Sequence, residues 1–147
     1  MLRMLAKSDI GQMLAIENAA HIAPWTEEAF KICFRTGYVS LGFEVDKKII
    51  GFVIVSVQAD ECHILNIAVA TLFQRQGWGR KLLEYAMLQA RQKGAGIVYL
   101  EVRRSNSRAI SLYRKMRFQL IGERKDYYVT VAGMEDALIF AKSLSSS

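Results

Sequence analysis

The residues with the most chemistry in this chain are Gln74-Arg75-Gln76-Gly77-Trp78-Gly79-Arg80-Lys81, placed between an apolar run and the strongest helical pattern. Such a strand-to-helix turn suits an anion. Gly77 and Gly79 carry no Cβ to hold a ligand off the main chain, so successive N–H groups can converge at the positive end of a helix dipole. Arg75, Arg80 and Lys81 add formal charge. An ordinary turn with exposed basic side chains has the same composition, and two spaced glycines do not separate these readings. Two familiar phosphate loops do not fit. There is no GxxxxGK(S/T), and a dinucleotide-binding turn would place a third glycine where Leu82 stands. Glu101 lies about twenty residues on, as a ribose-binding acid would, but too little chain follows for the βα units such a sheet needs.

Glu101 is the sole carboxylate in the apolar run Ile97 to Val102. Desolvation in such a strand tunes a carboxylate toward general-base work near neutral pH. A salt bridge to Arg103 or another cation is the structural alternative. Tyr113 shares a helical side with Ala109, Ile110 and Met116, which by spacing alone reads as a core position. Ser105 or Asn106 stands where a helix N-cap is expected. Cys33 and Cys62 lack a partner histidine, and His21 and His63 are single, so neither a cysteine nucleophile nor a metal site is expected.

The elements that must position these groups follow from periodicity and breakers. Leu2 to Leu5 reads as a strand. Ser8 reads as the N-cap of a helix with apolar Ile10, Met13, Leu14 and Ile16, and Thr26 starts a second helix that Gly37 stops. Tyr38 to Val45 and Ile49 to Val57 form a hairpin across Asp46-Lys47-Lys48, followed by a third antiparallel strand over 62–69. Gly77 to Lys93 is the clearest helix. Ile97 to Val102 reads as a strand buried on both faces and reached by a right-handed crossover. A short helix then runs to Met116, and strands over 118–123 and 134–141 are joined by a loop holding Tyr127 and Tyr128. The class is α+β.

With 147 residues, 52% hydrophobic and 23% charged, the chain reads as one soluble domain over 1–147. Its size supports a core without disulfides or a structural metal. No apolar run approaches the ~18 residues that span a bilayer, and the first residues lack a signal-peptide core, so a cytoplasmic, mature chain is expected. Ser145-Ser146-Ser147 is the one low-complexity piece, read as a frayed end. A net charge of +6 and a pI near 9.5 suit an anionic ligand, an acidic surface, nucleic acid or a solvated basic face.

The loop over 74–79 resembles the acetyl-CoA signature Gln/Arg-x-x-Gly-x-Gly/Ala of the GNAT superfamily of N-acetyltransferases. Asn66 to Val69, Leu100 to Arg103 with Ser105-Asn106, Ala109 to Tyr113, Phe118, Ala20-His21, Pro24-Trp25-Thr26, Tyr127-Tyr128 and Gly133 with Glu135 to Ala137 extend the likeness, in order, to its branch that acetylates the N-terminal alanine of bacterial ribosomal proteins. The resemblance implies a GNAT fold: a mixed, mostly antiparallel central sheet with helices on both faces. It implies acetyl-CoA as co-substrate without a metal, and Arg75, Gln76, Gly77, Trp78, Gly79 and Arg80 as the pyrophosphate cradle. Ile67, Ala68 and Val69 would form a splayed strand paired with the pantetheine arm, an N–H near Val69 would polarise the acetyl carbonyl, and Asn106 would bond the CoA arm. Glu101 becomes the general base and Tyr113 the general acid. The implied partner is the N-terminus of a ribosomal protein, recognised near Trp25, Tyr127 and Tyr128, with neither nucleic acid nor membrane involved.

An α-amine titrates near ~8 and a lysine near ~10.4, so a carboxylate base favours the former. A transferase for lysine or small amines and a non-catalytic acyl-CoA-binding module are the competing readings, the latter disfavoured by the joint presence of Glu101 and Tyr113. Three positions depart from the family pattern. Arg117 stands in place of glycine, so the preceding helix should close without a left-handed cap. Thr71 and Val129 stand in place of prolines.

Overall fold

The computed structural model describes residues 1–144; Ser145 to Ser147, read above as frayed, lie outside the described residues. In chain order the elements are β1 (Leu2–Met4), α1 (Ile10–Ala20), α2 (Glu27–Thr36), β2 (Val39–Val45), β3 (Lys48–Gln58), β4 (Glu61–Val69), α3 (Trp78–Gln92), β5 (Ile97–Arg103), α4 (Ser107–Lys115), β6 (Gln119–Thr130) and β7 (Gly133–Ser143). The strands form one sheet in the order β1-β2-β3-β4-β5-β7-β6. Only β4 and β5 run parallel. No described helix is long and apolar enough to cross a membrane.

Local chemistry explains most boundaries. The Thr26 hydroxyl accepts the Ala29 N–H at 3.2 Å, Glu27 and Glu28 face the positive end of α2, and Gly37 closes it at φ +86°. Asp46 and Lys47 both take positive φ, the two-residue turn whose twist matches a hairpin. Ser8 is not the cap of α1. A 3-10 turn over Lys7–Asp9 comes first, and the Asp9 carboxylate accepts the Ala6 N–H at 2.8 Å while pairing with both Arg3 Nη atoms.

Two cores lie on opposite faces of the sheet. Phe52, Ile54 and Ala68 pack with Met13, Ile16 and Phe30 of α1 and α2; Val53, Val55, Val98 and Leu100 pack with Leu82, Leu83 and Ala86 of α3 and Tyr113 of α4. Side-chain alternation along each strand therefore sorts residues to one face or the other. This alternation corrects the expectation for β5. Val98, Leu100 and Val102 are buried with α3 and α4, whereas Tyr99, Glu101 and Arg103 turn to the other face and are only half-buried.

The last two strands also differ from expectation. Tyr127 and Tyr128 lie in β6 itself, because that strand continues to Thr130 and only residues 131 and 132 make the turn. Between the Arg124–Ala137 and Tyr128–Glu135 pairs, three residues of β6 oppose one of β7. Asp136 satisfies that bulge by accepting the Asp126 N–H at 2.9 Å. The chain after α4 holds its left-handed cap despite the missing glycine. Arg117 adopts φ +71°, and the Phe118 N–H reaches the Tyr113 carbonyl at 2.9 Å, so the closure is kept at the cost of a strained side-chain-bearing residue.

Candidate active site

β4 and β5 pair only from Glu61–Ile97 to Ile64–Leu100. A bulge then places Leu65 as an extra residue, since Ile54 faces Asn66 while Val55 faces Ile64. Beyond it each strand keeps its outer neighbour, β3 through Gly51–Val69 and β7 through Ala137–Arg103, and loses the inner one. The sheet is open there.

The direction of the exposed backbone follows from the ladder. Ala70 N–H bonds to Ile50 O at 2.8 Å, so alternate residues Ala68 and Asn66 also exchange bonds with β3. The N–H and C=O groups of Ile67 and Val69 accordingly point into the gap. Both carbonyls are taken, Ile67 O by His21 Nε2 at 3.0 Å and Val69 O by Gln74 Nε2 at 3.0 Å. A carbonyl only accepts, so His21 Nε2 carries the hydrogen. What faces the gap unmet is a pair of N–H donors.

A cleft of about 620 Å³ passes through this gap. At one end stand Arg75, Gly77, Trp78, Gly79 and Arg80 at the start of α3, with Asn106, Ser107 and Arg108 at the start of α4. At the other stand Glu17, His21 and Trp25. Arg75 and Gly77 take positive φ, +64° and +89°, the alternation that makes consecutive N–H groups concave. A Cβ on Gly77 would meet nothing within 4 Å, so the space beside the loop is open. Trp78 is anchored on Phe43 at 4.9 Å between ring centroids, with Lys81 Nζ 4.8 Å from its ring.

Of the residues singled out from sequence, Ile67, Ala68, Val69, Arg75, Gly77, Trp78, Gly79, Arg80, Glu101, Asn106 and Tyr113 all line this cleft. Gln76 does not: its side chain is exposed and bonds Leu72 O and the Trp78 indole. Asn106 is indeed an N-cap, accepting the Ala109 N–H at 3.2 Å.

Glu101 reaches the cleft from the α1/α2 face and Tyr113 from the α3/α4 face. The burial expected for Glu101 is partial, 31% of its side chain remaining exposed, because strand alternation turns it to the cleft instead of the core. Its cation is Arg124, not Arg103. Arg124 Nε stands 3.0 Å from Oε2, an oxygen that is itself buried and receives no hydrogen bond from a described residue. Arg103 instead bonds Ser105 Oγ at 2.9 Å. Tyr113 is 5% exposed and packs on Phe118 and Phe140 at 5.8 and 6.1 Å, so it is a core tyrosine that also meets the cleft. Burial, with Tyr128 second, pushes its phenol well above the ordinary tyrosine range. Tyr128 lines the cleft too, pushed up to about 12 by burial and then by the charge of Glu101. Tyr127 is exposed and holds Arg124 over its ring at 5.4 Å.

Two residues escaped the sequence reading of the site. Gln74, seen there only as the first residue of the signature, ties Val69 O to Arg108, whose Nη1 donates to its Oε1 at 3.2 Å. Glu17, on α1, is a buried carboxylate whose only sequence signal was a charge inside an apolar stripe.

A parted parallel pair with a glycine-rich helix start at its mouth is the architecture of an acyltransferase of the GNAT type. The acetyltransferase (GNAT) family matches residues 10–118, and the chain belongs to it. It is 38% identical over 142 residues to the ribosomal protein bS18-alanine N-acetyltransferase of Salmonella typhimurium, covering 97% of this chain and 96% of that one. The crystal structure of the ribosomal-protein-S18-alanine N-acetyltransferase from Escherichia coli superposes with a TM-score of 0.92 at 36% identity, covering 100% of this chain and 95% of that chain. Arabidopsis thaliana NAA60 in complex with acetyl-CoA shares the fold, with a TM-score of 0.85 at 20% identity and 97% of each chain covered.

Proposed function

We propose that this chain transfers an acetyl group from acetyl-CoA to the α-amine of a protein N-terminus, its acceptor being a ribosomal protein that begins with alanine. The observation that carries this reading is the placement of Glu101 and Tyr113 on opposite faces of the sheet, at the gap where β4 and β5 part. The relatives named for bS18-alanine acetylation support the acceptor.

The residues fit acetyl-CoA. The concave backbone from Arg75 to Arg80 and the N-termini of α3 and α4 would take its phosphates, and the inward N–H groups of Ile67 and Val69 would take its amide and acyl oxygens. When bound, acetyl-CoA supplies a thioester whose carbonyl is open to an amine. Glu101, on the α1/α2 face, accepts a proton from the amine that enters on that side, directly or through water. The Val69 N–H is placed to stabilise charge developing on the acyl oxygen. Tyr113 keeps its phenolic hydrogen and donates it toward the departing sulfur. Tyr128 lines the cleft beside Glu101, and Arg124, the cation next to Glu101, also lies over the Tyr127 ring.

The test is thiol release from acetyl-CoA in the presence of short peptides beginning Ala-Arg, with mass spectrometry locating the acetyl group. Release that depends on a free N-terminus, and is lost when that amine is blocked, is the expected result. Modification of lysine side chains alone would replace this acceptor with another, and binding of CoA without turnover would remove catalysis.

A further inference from the structure

Glu17 is 1% exposed and stands in the last turns of α1, near the negative end of the helix dipole. Both features disfavour a carboxylate. Its two oxygens are nevertheless fully used. Oε2 accepts the Trp25 N–H at 2.9 Å, and Oε1 accepts Asn66 Nδ2 at 2.9 Å. His21 Nε2 lies 3.6 Å from the same Oε1 while donating to Ile67 O. The carboxylate thus binds the segment between α1 and α2 to β4 immediately after the Leu65 bulge, at the end of the cleft away from the glycine loop. Trp25, so held, packs its ring 5.3 Å from Phe30. A hydrophobic side chain could fill this position but would leave the Trp25 N–H and the Asn66 amide without an acceptor, so the carboxylate is explained by what it holds.

We propose that Glu17 is the positioning residue of the acceptor half of the cleft: through the Trp25 amide and the Asn66 side chain it sets the distance between the α1–α2 segment and β4, and thereby the width of the slot that admits the peptide N-terminus. This inference rests on the acceptor reading above. It concerns hydrogen bonding, not charge, and that makes it separable. In Glu17→Met both donors lose their acceptor. In Glu17→Gln the amide oxygen still accepts from Trp25, and its NH₂ can donate to a flipped Asn66 side chain.

The experiment measures KM for an Ala-Arg peptide, KM for acetyl-CoA and kcat in both variants, with amide hydrogen exchange at Trp25 in the free protein. Glu17→Met is expected to raise the peptide KM at least tenfold, leave the acetyl-CoA KM within twofold, and speed Trp25 exchange at least tenfold, with a lowered melting temperature because two buried donors lose their acceptor. Glu17→Gln is expected to stay within threefold of wild type throughout. Should Glu17→Met not fold, Asn66→Ala, which removes the same bond from the strand side, is expected to show the same split. An unchanged peptide KM in the folded variant, equal loss for both cosubstrates, or a Glu17→Gln defect as deep as that of Glu17→Met would overturn the proposal. Failure of the wild type to acetylate any peptide N-terminus would instead remove the acceptor reading, while Trp25 exchange would still report whether Glu17 holds that segment.

Discussion

Replacing Tyr113 by phenylalanine separates chemistry from packing at this site. The ring, 5% exposed, keeps its contacts with Phe118 and Phe140. Only a hydroxyl with no hydrogen bond to a described residue is lost, so the stability change is on the order of 0.5 kcal/mol in either direction. For a domain of this size that is about 1–2 °C in Tm. Loss of a positioned proton donor costs roughly 10²–10⁴ in rate, or about 3–5 kcal/mol of activation free energy. The chemical effect should therefore exceed the structural one several-fold. The assay is kcat by thiol release, with acetyl-CoA affinity by calorimetry and Tm on the same preparations. Turnover within threefold of wild type would refute the role, as would a loss traced to weakened acetyl-CoA binding. The pH dependence adds a second check. Burial raises the native phenol pKa above its unfolded value near ~10, so this stabilising contribution is complete below about pH 10 and is lost as pH rises further. Wild-type kcat should show no decline from Tyr113 between pH 7 and 10, and Tyr113→Phe should lose stability less steeply above pH 10.

Glu101→Gln should lower turnover by on the order of 10²–10⁴ while calorimetry shows acetyl-CoA affinity within a few-fold; a defect mainly in cofactor binding would contradict the role of base. Gly77→Ala, at φ +89° with open space around it, should cost about 1–2 kcal/mol of backbone strain and weaken acetyl-CoA binding by re-aiming the loop amides. Gly79→Ala is the contrast: inside α3, its Cβ would make ordinary contacts with Leu112 and Val69 at 3.7 and 4.0 Å, so a gain of up to about 1 kcal/mol in a thermal melt is expected. Equal behaviour of the two variants would sink this account of the loop. Arg117→Gly should stabilise the protein by roughly 0.5–1 kcal/mol, because relief of left-handed strain outweighs the added unfolded-state entropy; a lower Tm would show that the Arg117 side chain holds more than the turn.

The sequence by itself determined whatever depends on neighbours a few residues away. The Thr26 cap, the Asp46-Lys47 turn and the loop before α3 are legible because dihedral preference and helix-end chemistry are local. Glu101 was found for the same reason, as a charge out of pattern in an apolar strand. Tyr113 was not: its spacing reads as core, and only the family likeness pointed to chemistry. Long-range pairing decided the rest. The 3-10 turn that displaced Ser8 closes through the Ala6–Asp9 bonds and is tied by Asp9 to Arg3 of β1, and β6 runs on through both tyrosines with its bulge satisfied by Asp136 of the neighbouring strand. Arg124 is 23 positions from Glu101 in the chain, and Asn66 is 49 from Glu17, so no periodicity within one element brings either pair together. The gap itself belongs to the tertiary structure: it exists because the extra Leu65 in β4 ends pairing with β5 while β3 and β7 hold the two outer edges, a condition met only when four strands are already in register.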